Sequence, residues 1–148
     1  MMRSKDIKLK VMNAMHRSLY ELTRGKRGGV FLGKPVVQLT TVGAKSGKQR
    51  TVLLTSPADF EGDPVVVASY AGDDRHPAWY HNLLANPDVD VKQLDSGRRE
   101  RRRARVLSAG ERAALWPQLK REIKQYQEYE LRTTREIPII VLESIKAS

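Results

Sequence analysis

From residue 36 to residue 107 the chain is a succession of short β-forming runs on tight turns, with only one short helical segment between them. Residues 36–42 and 50–57 flank a glycine-containing turn and read as a hairpin. The turn Glu61-Gly62-Asp63-Pro64 leads into a buried strand over 65–70, and Gly72, Asp73 and Asp74 then break the chain. The regular strand–helix–strand alternation of a parallel Rossmann sheet is absent. Consecutive strands joined this closely pair antiparallel, so the pattern predicts a compact antiparallel barrel of about six strands with helices packed around it.

The remaining segments fit around that barrel. Pro77 suits the first position of a short helix that Asn86-Pro87 ends. Val89 and Val91 alternate with polar residues up to the turn Asp95-Ser96-Gly97, which feeds a strand ending at Leu107. Ser108-Ala109-Gly110-Glu111 is a capping box opening a helix. Because the residue before proline avoids the α region, that helix should be interrupted near Trp116-Pro117, with a second stretch running to about Arg132. Residues 137–142 close the chain as a strand, with Pro138 near its start. At the other end, Ile7, Val11, Met15, Leu19 and Leu22 mark a basic amphipathic helix over 6–23, followed by a linker over 24–29. The expected organisation is an N-terminal helix over 1–24 and a barrel over 30–148, one domain in all.

With 148 residues the chain suits a single domain with a real core. It has no cysteine, which excludes disulfides and thiolate metal sites, and no apolar run reaches the length of a membrane span. A soluble, cytoplasmic protein is expected. The charge of +10, from 27 Lys and Arg against 17 Asp and Glu, favours anionic partners. Its densest cluster, six arginines over 98–105, reads as an exposed strand edge guarded by charge. No aromatic residues interleave those arginines, so no specific nucleic-acid surface is expected.

Chemistry concentrates in the turn Thr41-Val42-Gly43-Ala44-Lys45-Ser46-Gly47-Lys48-Gln49-Arg50-Thr51. Its glycines permit a tight bend that brings N–H groups toward a ligand, while Lys45, Lys48, Arg50 and the Ser46 hydroxyl suit a phosphate. It is not a P-loop: three residues, not four, separate Gly43 from Gly47, and a strand follows. A hydrolytic triad could be drawn from Ser69, His76 and Asp73, but no nucleophile elbow exists. His76 and His81 are poorly spaced for a metal and no third ligand is evident, so no metal site is expected. Glu61, Asp63, Asp73 and Asp74 fall at turns, where solvated carboxylates are ordinary. Trp79 and Tyr80 offer aromatic surface, and Tyr126 and Tyr129 share one side of a helix; each is also suited to core packing.

The block 39–51, the segment Val67-Ala68-Ser69-Tyr70-Ala71-Gly72, the segment 76–87 and the ending Tyr126-Gln127-Glu128-Tyr129 with 133–139 resemble, in order and spacing, the deazaflavin-dependent nitroreductase family. The likeness covers roughly residues 30–143. It implies an α+β split β-barrel of the flavin-reductase type that binds coenzyme F-420 and passes hydride to a quinone, nitroaromatic or activated enone. Carried onto this chain, Lys45, Ser46 and Arg50 would grip the phosphate, beside Ala44, and Thr51 its neighbouring linker. Val52 and Leu54 would line the ring or ribityl chain, and Ala68, Ser69 and Tyr70 would offer backbone donors to the ring. Ala78, Trp79, Tyr80 and Asn82 would meet the phosphate and tail region. Tyr126 would border the ring and Tyr129 the substrate, either hydroxyl serving as the proton or hydrogen-bond donor. Two departures stand out: Tyr70 stands where the family can carry a basic residue, and Ala44 where arginine is frequent. The resemblance leaves open a monomer or a homodimer, and peripheral contact of the N-terminal helix with a membrane. Two alternatives are a non-catalytic lipid- or fatty-acid-binding barrel and an FMN enzyme of the related barrel type.

Overall fold

The structure, a computed structural model, describes residues 30–31 and 33–145. Eight strands are present among them: β1 (Val30–Phe31), β2 (Lys34–Val42), β3 (Gln49–Thr55), β4 (Asp59–Phe60), β5 (Asp63–Val67), β6 (Asp88–Gln93), β7 (Arg99–Val106) and β8 (Ile139–Ser144). Three α-helices accompany them: α1 (Ala78–Ala85), α2 (Ala109–Glu122) and α3 (Lys124–Arg132). Every pairing is antiparallel, in the order β1-β2-β6-β7-β8-β5-β4, with β3 on the other flank of β2. The expected N-terminal helix over 6–23 lies outside the described residues. No helix among those described is long and apolar enough to cross a membrane.

The sheet curls because its two faces bury different things. Val37 and Leu39 of β2, Val66 of β5, Val89 and Val91 of β6, Ala104 of β7, and Ile140 and Leu142 of β8 meet inside the curl, where Trp79 and Leu83 of α1 plug it. Val65, Val67, Ile139 and Val141, one residue out of phase, face outward and are covered by Leu115, Trp116, Leu119, Ile123 and Tyr126 of the α2–α3 arm. The period of two along a strand thus sorts β5 and β8 into two cores. β3 pairs with β2 alone, so the curl stays open along the inner edge of β3, where Val52 and Leu54 pack only partly against the interior. This is a split barrel, as the family resemblance implied, and antiparallel throughout, as the pattern of strands and turns predicted.

Three local expectations need correction. The strand expected over 65–70 stops at Val67, and residues 70–72 form a tight 3-10 turn. Pro77 caps α1 rather than occupying its first turn. Helix α2 runs unbroken through Pro117; the break falls at Ile123, which is extended (φ −127°, ψ 96°). Pro117 is tolerated because it and Ala113, whose carbonyl loses its i+4 donor, both lie on the exposed face where water can satisfy that oxygen. The capping box is formed as expected: Glu111 N–H donates to Ser108 Oγ at 3.2 Å and Ser108 N–H to Glu111 Oε1 at 2.8 Å. Ser108→Ala should therefore lower stability by about 1 kcal/mol, read from a denaturant midpoint with unchanged slope.

The arginine strand is not an edge. β7 lies between β6 and β8, and its charges are paired across both neighbours. Arg101 meets Asp90 (2.9 Å), Arg103 meets Asp88 (2.9 Å), and Arg105 meets Glu111 (2.8 Å) and Glu143 (3.2 Å) on the outer face. Arg105 holds the Glu111 carboxyl down at about 2, with help from the Ser108 backbone. Arg102 points the other way: it is buried and donates to Asp63 (3.0 Å), to the Leu142 carbonyl (2.8 Å) and to Glu100, closing one end of the curl. The carboxylates that neutralise the cluster come from β5, β6, β8 and α2, with Glu100 of β7 itself.

Candidate functional site

The basic turn is a closed, self-bonded loop. Gly43 N–H donates to Lys48 O (2.7 Å), Gly47 N–H to Gly43 O (3.0 Å) and Lys48 N–H to Ser46 Oγ (3.2 Å). A Cβ on Gly43 would meet Ser46 Oγ at 2.5 Å and Lys48 O at 3.3 Å, so a side chain there would have to turn the Ser46 hydroxyl away from Lys48 N–H. Most of the turn's N–H groups are thus spent internally; those of Lys45 and Ser46 have no partner among the described residues. Lys45, Ser46, Lys48 and Arg50 are exposed. Arg50 pairs across the hairpin with Thr41, on the face that Val52 and Leu54 share through their partners Leu39 and Val37. Arg50, Val52 and Leu54 therefore form one strip along the open inner edge, charged at the turn and apolar beyond it. Thr51 faces the other way and bonds Thr40 (3.0 Å).

Helix α1 ties this turn to the rest of the site. Asn82 is buried, with its Oδ1 accepting from Ala44 N–H (3.0 Å) and its Nδ2 donating to Thr41 Oγ1 (3.3 Å). Asn86 Nδ2 adds a bond to Val42 O (3.4 Å). The Asn82 amide is thereby committed to the turn, and Trp79 is committed to the barrel interior. Of the α1 residues singled out by sequence, Ala78 is exposed and Tyr80 half-buried. Tyr80 stacks with His76 (ring centroids 4.6 Å) and sits against His81 (5.9 Å).

At the other end of α1 the chain is strained. Tyr70 (φ 46°), Ala71 (φ 52°) and Gly72 (φ 79°) are consecutive left-handed residues. Such dihedrals cost a non-glycine residue about 1–2 kcal/mol each and persist only where the surroundings hold them. Arg135 supplies that hold: it donates to Ala68 O (3.1 Å), Ser69 O (2.9 Å) and Asp73 O (2.8 Å), and meets His76 Nδ1 (3.2 Å). Burial, then Arg135, then His81 hold the His76 imidazole below its ordinary pKa. Ala68 N–H is spent on Pro138 O (3.0 Å), whereas Ser69 N–H and its hydroxyl have no partner among the described residues. Asp73 is not the solvated turn carboxylate expected of it: it is fully buried and takes Arg75 Nε (3.0 Å), Nη2 (3.0 Å) and backbone N–H (2.9 Å). Arg135 did not stand out in the sequence, since the groups it serves are reached only in the folded chain.

Helix α3 leans on this strained turn. Arg132 donates to Ala71 O (3.2 Å), and the Tyr129 backbone abuts Gly72. Tyr129 is half-buried there, its ring 5.5 Å from the Arg132 guanidinium. Tyr126 lies deeper, against Trp116 (5.7 Å) and Tyr129 (6.4 Å), in the outward-facing core. Burial raises the pKa of both phenols, for Tyr126 with a contribution from Tyr129, so both stay protonated at neutral pH. The structure thus brings Lys45, Ser46, Arg50, Val52 and Leu54 to one end of α1, and Ser69, Tyr70, His76, Tyr80 and Tyr129 to the other. The eight-residue helix between them spans about 12 Å. Tyr126 and Trp79 are not on that surface.

A cationic turn, an apolar strip beside it and unspent donors suit a flat ring carrying a phosphate. Comparisons with known proteins identify the family. The family model described as F420H(2)-dependent quinone reductase matches residues 12–144. An F420H(2)-dependent quinone reductase of Mycobacterium tuberculosis (strain ATCC 25618 / H37Rv) is 38% identical over 131 residues, covering 86% of this chain and 87% of its own. Among solved structures, an F420-H2 dependent reductase (FDR-A) is 41% identical with a TM-score of 0.63, over 74% of this chain and 94% of its own. A second, described as a domain-swapped dimer, is 37% identical with a TM-score of 0.65, over 88% and 96%.

Proposed function

Because this chain belongs to the F420H(2)-dependent quinone reductase family, we propose that it moves hydride from reduced coenzyme F-420 to a small quinone beside α1. It is an oxidoreductase, and the observation that carries the site assignment is the strip Arg50–Val52–Leu54 along the unpaired flank of β3. Lys45, Arg50, Ser46 and the two unspent turn amides would take the phosphate. Val52 and Leu54 would flank the ring, and Ser69 N–H and hydroxyl would meet its polar edge. The bound coenzyme supplies the hydride from its own ring carbon. The chain's part is to orient donor and acceptor within ~3–3.5 Å and to exclude water. Quinones are often lipid-soluble, so encounter at a membrane surface suits this acceptor class. The domain-swapped relative makes a second copy of the chain the partner to look for.

Quinone reduction also needs a proton at the acceptor oxygen. Tyr129 fits that role better than Tyr126, being half-buried beside the strained turn while its raised pKa keeps the hydroxyl protonated. Titration with reduced coenzyme F-420 followed by addition of menadione tests the reading. Oxidation of the coenzyme is expected with the wild-type chain. Tyr129→Phe should lower kcat by roughly 100-fold with coenzyme affinity kept, while Tyr126→Phe stays within about threefold. Equal turnover by Tyr129→Phe and wild type would remove the donor assignment; no oxidation at all would remove the activity.

A further inference from the structure

Three carbonyls that bracket the strained turn converge on one guanidinium 62 to 67 residues away in sequence: Ala68 and Ser69 before it and Asp73 after it, all on Arg135. Every peptide bond described is trans. In a planar trans peptide the C=O and the following N–H point in opposite directions. Drawing the Ala68 and Ser69 oxygens onto Arg135 therefore turns the N–H groups of Ser69 and Tyr70 away from it. Gly72 N–H, on Ser69 O at 2.9 Å, and Asp73 N–H, on Tyr70 O at 3.0 Å, close the turn behind them. The fourth contact of Arg135 carries information of its own. A guanidinium has no acceptor, so His76 must accept at Nδ1 and hold its proton on Nε2. One residue thereby sets two peptide planes and one tautomer.

We propose that Arg135 is the positioning residue of the coenzyme site: it holds the turn 68–73 so that the Ser69 amide is presented as a fixed donor to the ring's polar edge, and it locks His76 as the Nε2–H tautomer beside Tyr80. The inference rests on the site reading above. It explains why a turn with two non-glycine left-handed residues survives in this fold, and why a half-buried cation sits next to a histidine that stays neutral. Lysine cannot reproduce the grip, because its single ammonium does not span three carbonyls as the planar fork does.

Arg135→Gln and Arg135→Lys test this, with Ser108→Ala as a comparably mild destabilisation remote from the site. In the coenzyme-free chain, Arg135→Gln is expected to move the Ser69 and Tyr70 amide resonances and to shift His76 ring nitrogens toward a tautomer mixture. Calorimetric titration with oxidised coenzyme F-420 should show affinity about 10- to 100-fold weaker for Arg135→Gln, partly restored in Arg135→Lys, and unchanged in Ser108→Ala. At saturating coenzyme, KM for menadione should stay within about twofold, since the acceptor is not what Arg135 orients. Wild-type affinity in both Arg135 variants, or the same affinity loss in Ser108→Ala, would overturn the proposal. So would an unmoved His76 tautomer. If only Arg135→Lys folds, its affinity decides: equality with wild type overturns the clamp. Absence of binding by the wild-type chain would instead overturn the site reading on which the clamp depends.

Discussion

Lys45→Ala combined with Arg50→Ala removes measurable binding of coenzyme F-420 and leaves the fold intact. Both side chains are exposed, and neither is in an ion pair among the described residues, so their loss unmakes no packing. A hydrogen bond to a charged group contributes roughly 1.5–3 kcal/mol, so losing two from a phosphate weakens affinity by about 10²–10⁴-fold. The contrast is Lys48→Ala, a third exposed cation on the same turn whose backbone closes the loop from the outer side. If general positive charge were what attracted the ligand, all three lysine and arginine changes would act alike and fade together with added salt. If Lys45 and Arg50 form the phosphate grip, Lys48→Ala costs under about threefold while the pair abolishes binding. Calorimetry at two salt concentrations separates these outcomes, and unchanged affinity in the double variant sinks the phosphate assignment.

What the sequence disclosed and what it concealed divide along one physical line. The hairpin of 36–42 with 50–57, the Glu61-Gly62 turn and the capping box are written in neighbours a few residues apart, so the chain announces them. The basic turn 43–48 was visible for the same reason. Hidden features depend on groups that meet only after folding. Six arginines in a row of eight look like an exposed edge until Asp88, Asp90, Glu111 and Glu143 arrive from other elements to pair with them. Asp73 looks solvated until its turn is pressed under Arg135 and Arg75. Pro117 looks like a helix break because propensity weighs the missing donor, whereas exposure of the Ala113 carbonyl makes that loss cheap. The aromatic roles divided likewise: Tyr126 and Tyr129 share a helix side by spacing, but one register step buries the first against Trp116 and leaves the second half-open.

Gly72→Ala should be the most damaging single methyl that can be added near the site. A Cβ there would sit 2.9 Å from the Tyr129 carbonyl oxygen and 3.0 Å from both Tyr129 Cα and Arg132 Cβ. Two of those three atoms are helix backbone, which cannot rotate out of the way. Residue 72 is also left-handed at φ +79°, a conformation that costs an L side chain about 1–2 kcal/mol. Overpacking adds roughly 1–3 kcal/mol, so the total falls near 2–5 kcal/mol. For a chain of this size that is a fall of roughly 10 °C in Tm. The open glycines supply the comparison: Gly62 has φ +86° but nothing within 4 Å, so Gly62→Ala carries only the conformational part. The difference between the two variants in thermal melts isolates the contact between α3 and the strained turn. That contact also couples stability to function, because the methyl must push the Tyr129–Arg132 backbone away and carry the Tyr129 hydroxyl with it. Turnover in Gly72→Ala, measured well below its Tm, should therefore fall while Gly62→Ala keeps wild-type turnover. Equal melting temperatures for the two variants would show that α3 yields freely, and would remove the turn as the element that fixes Tyr129.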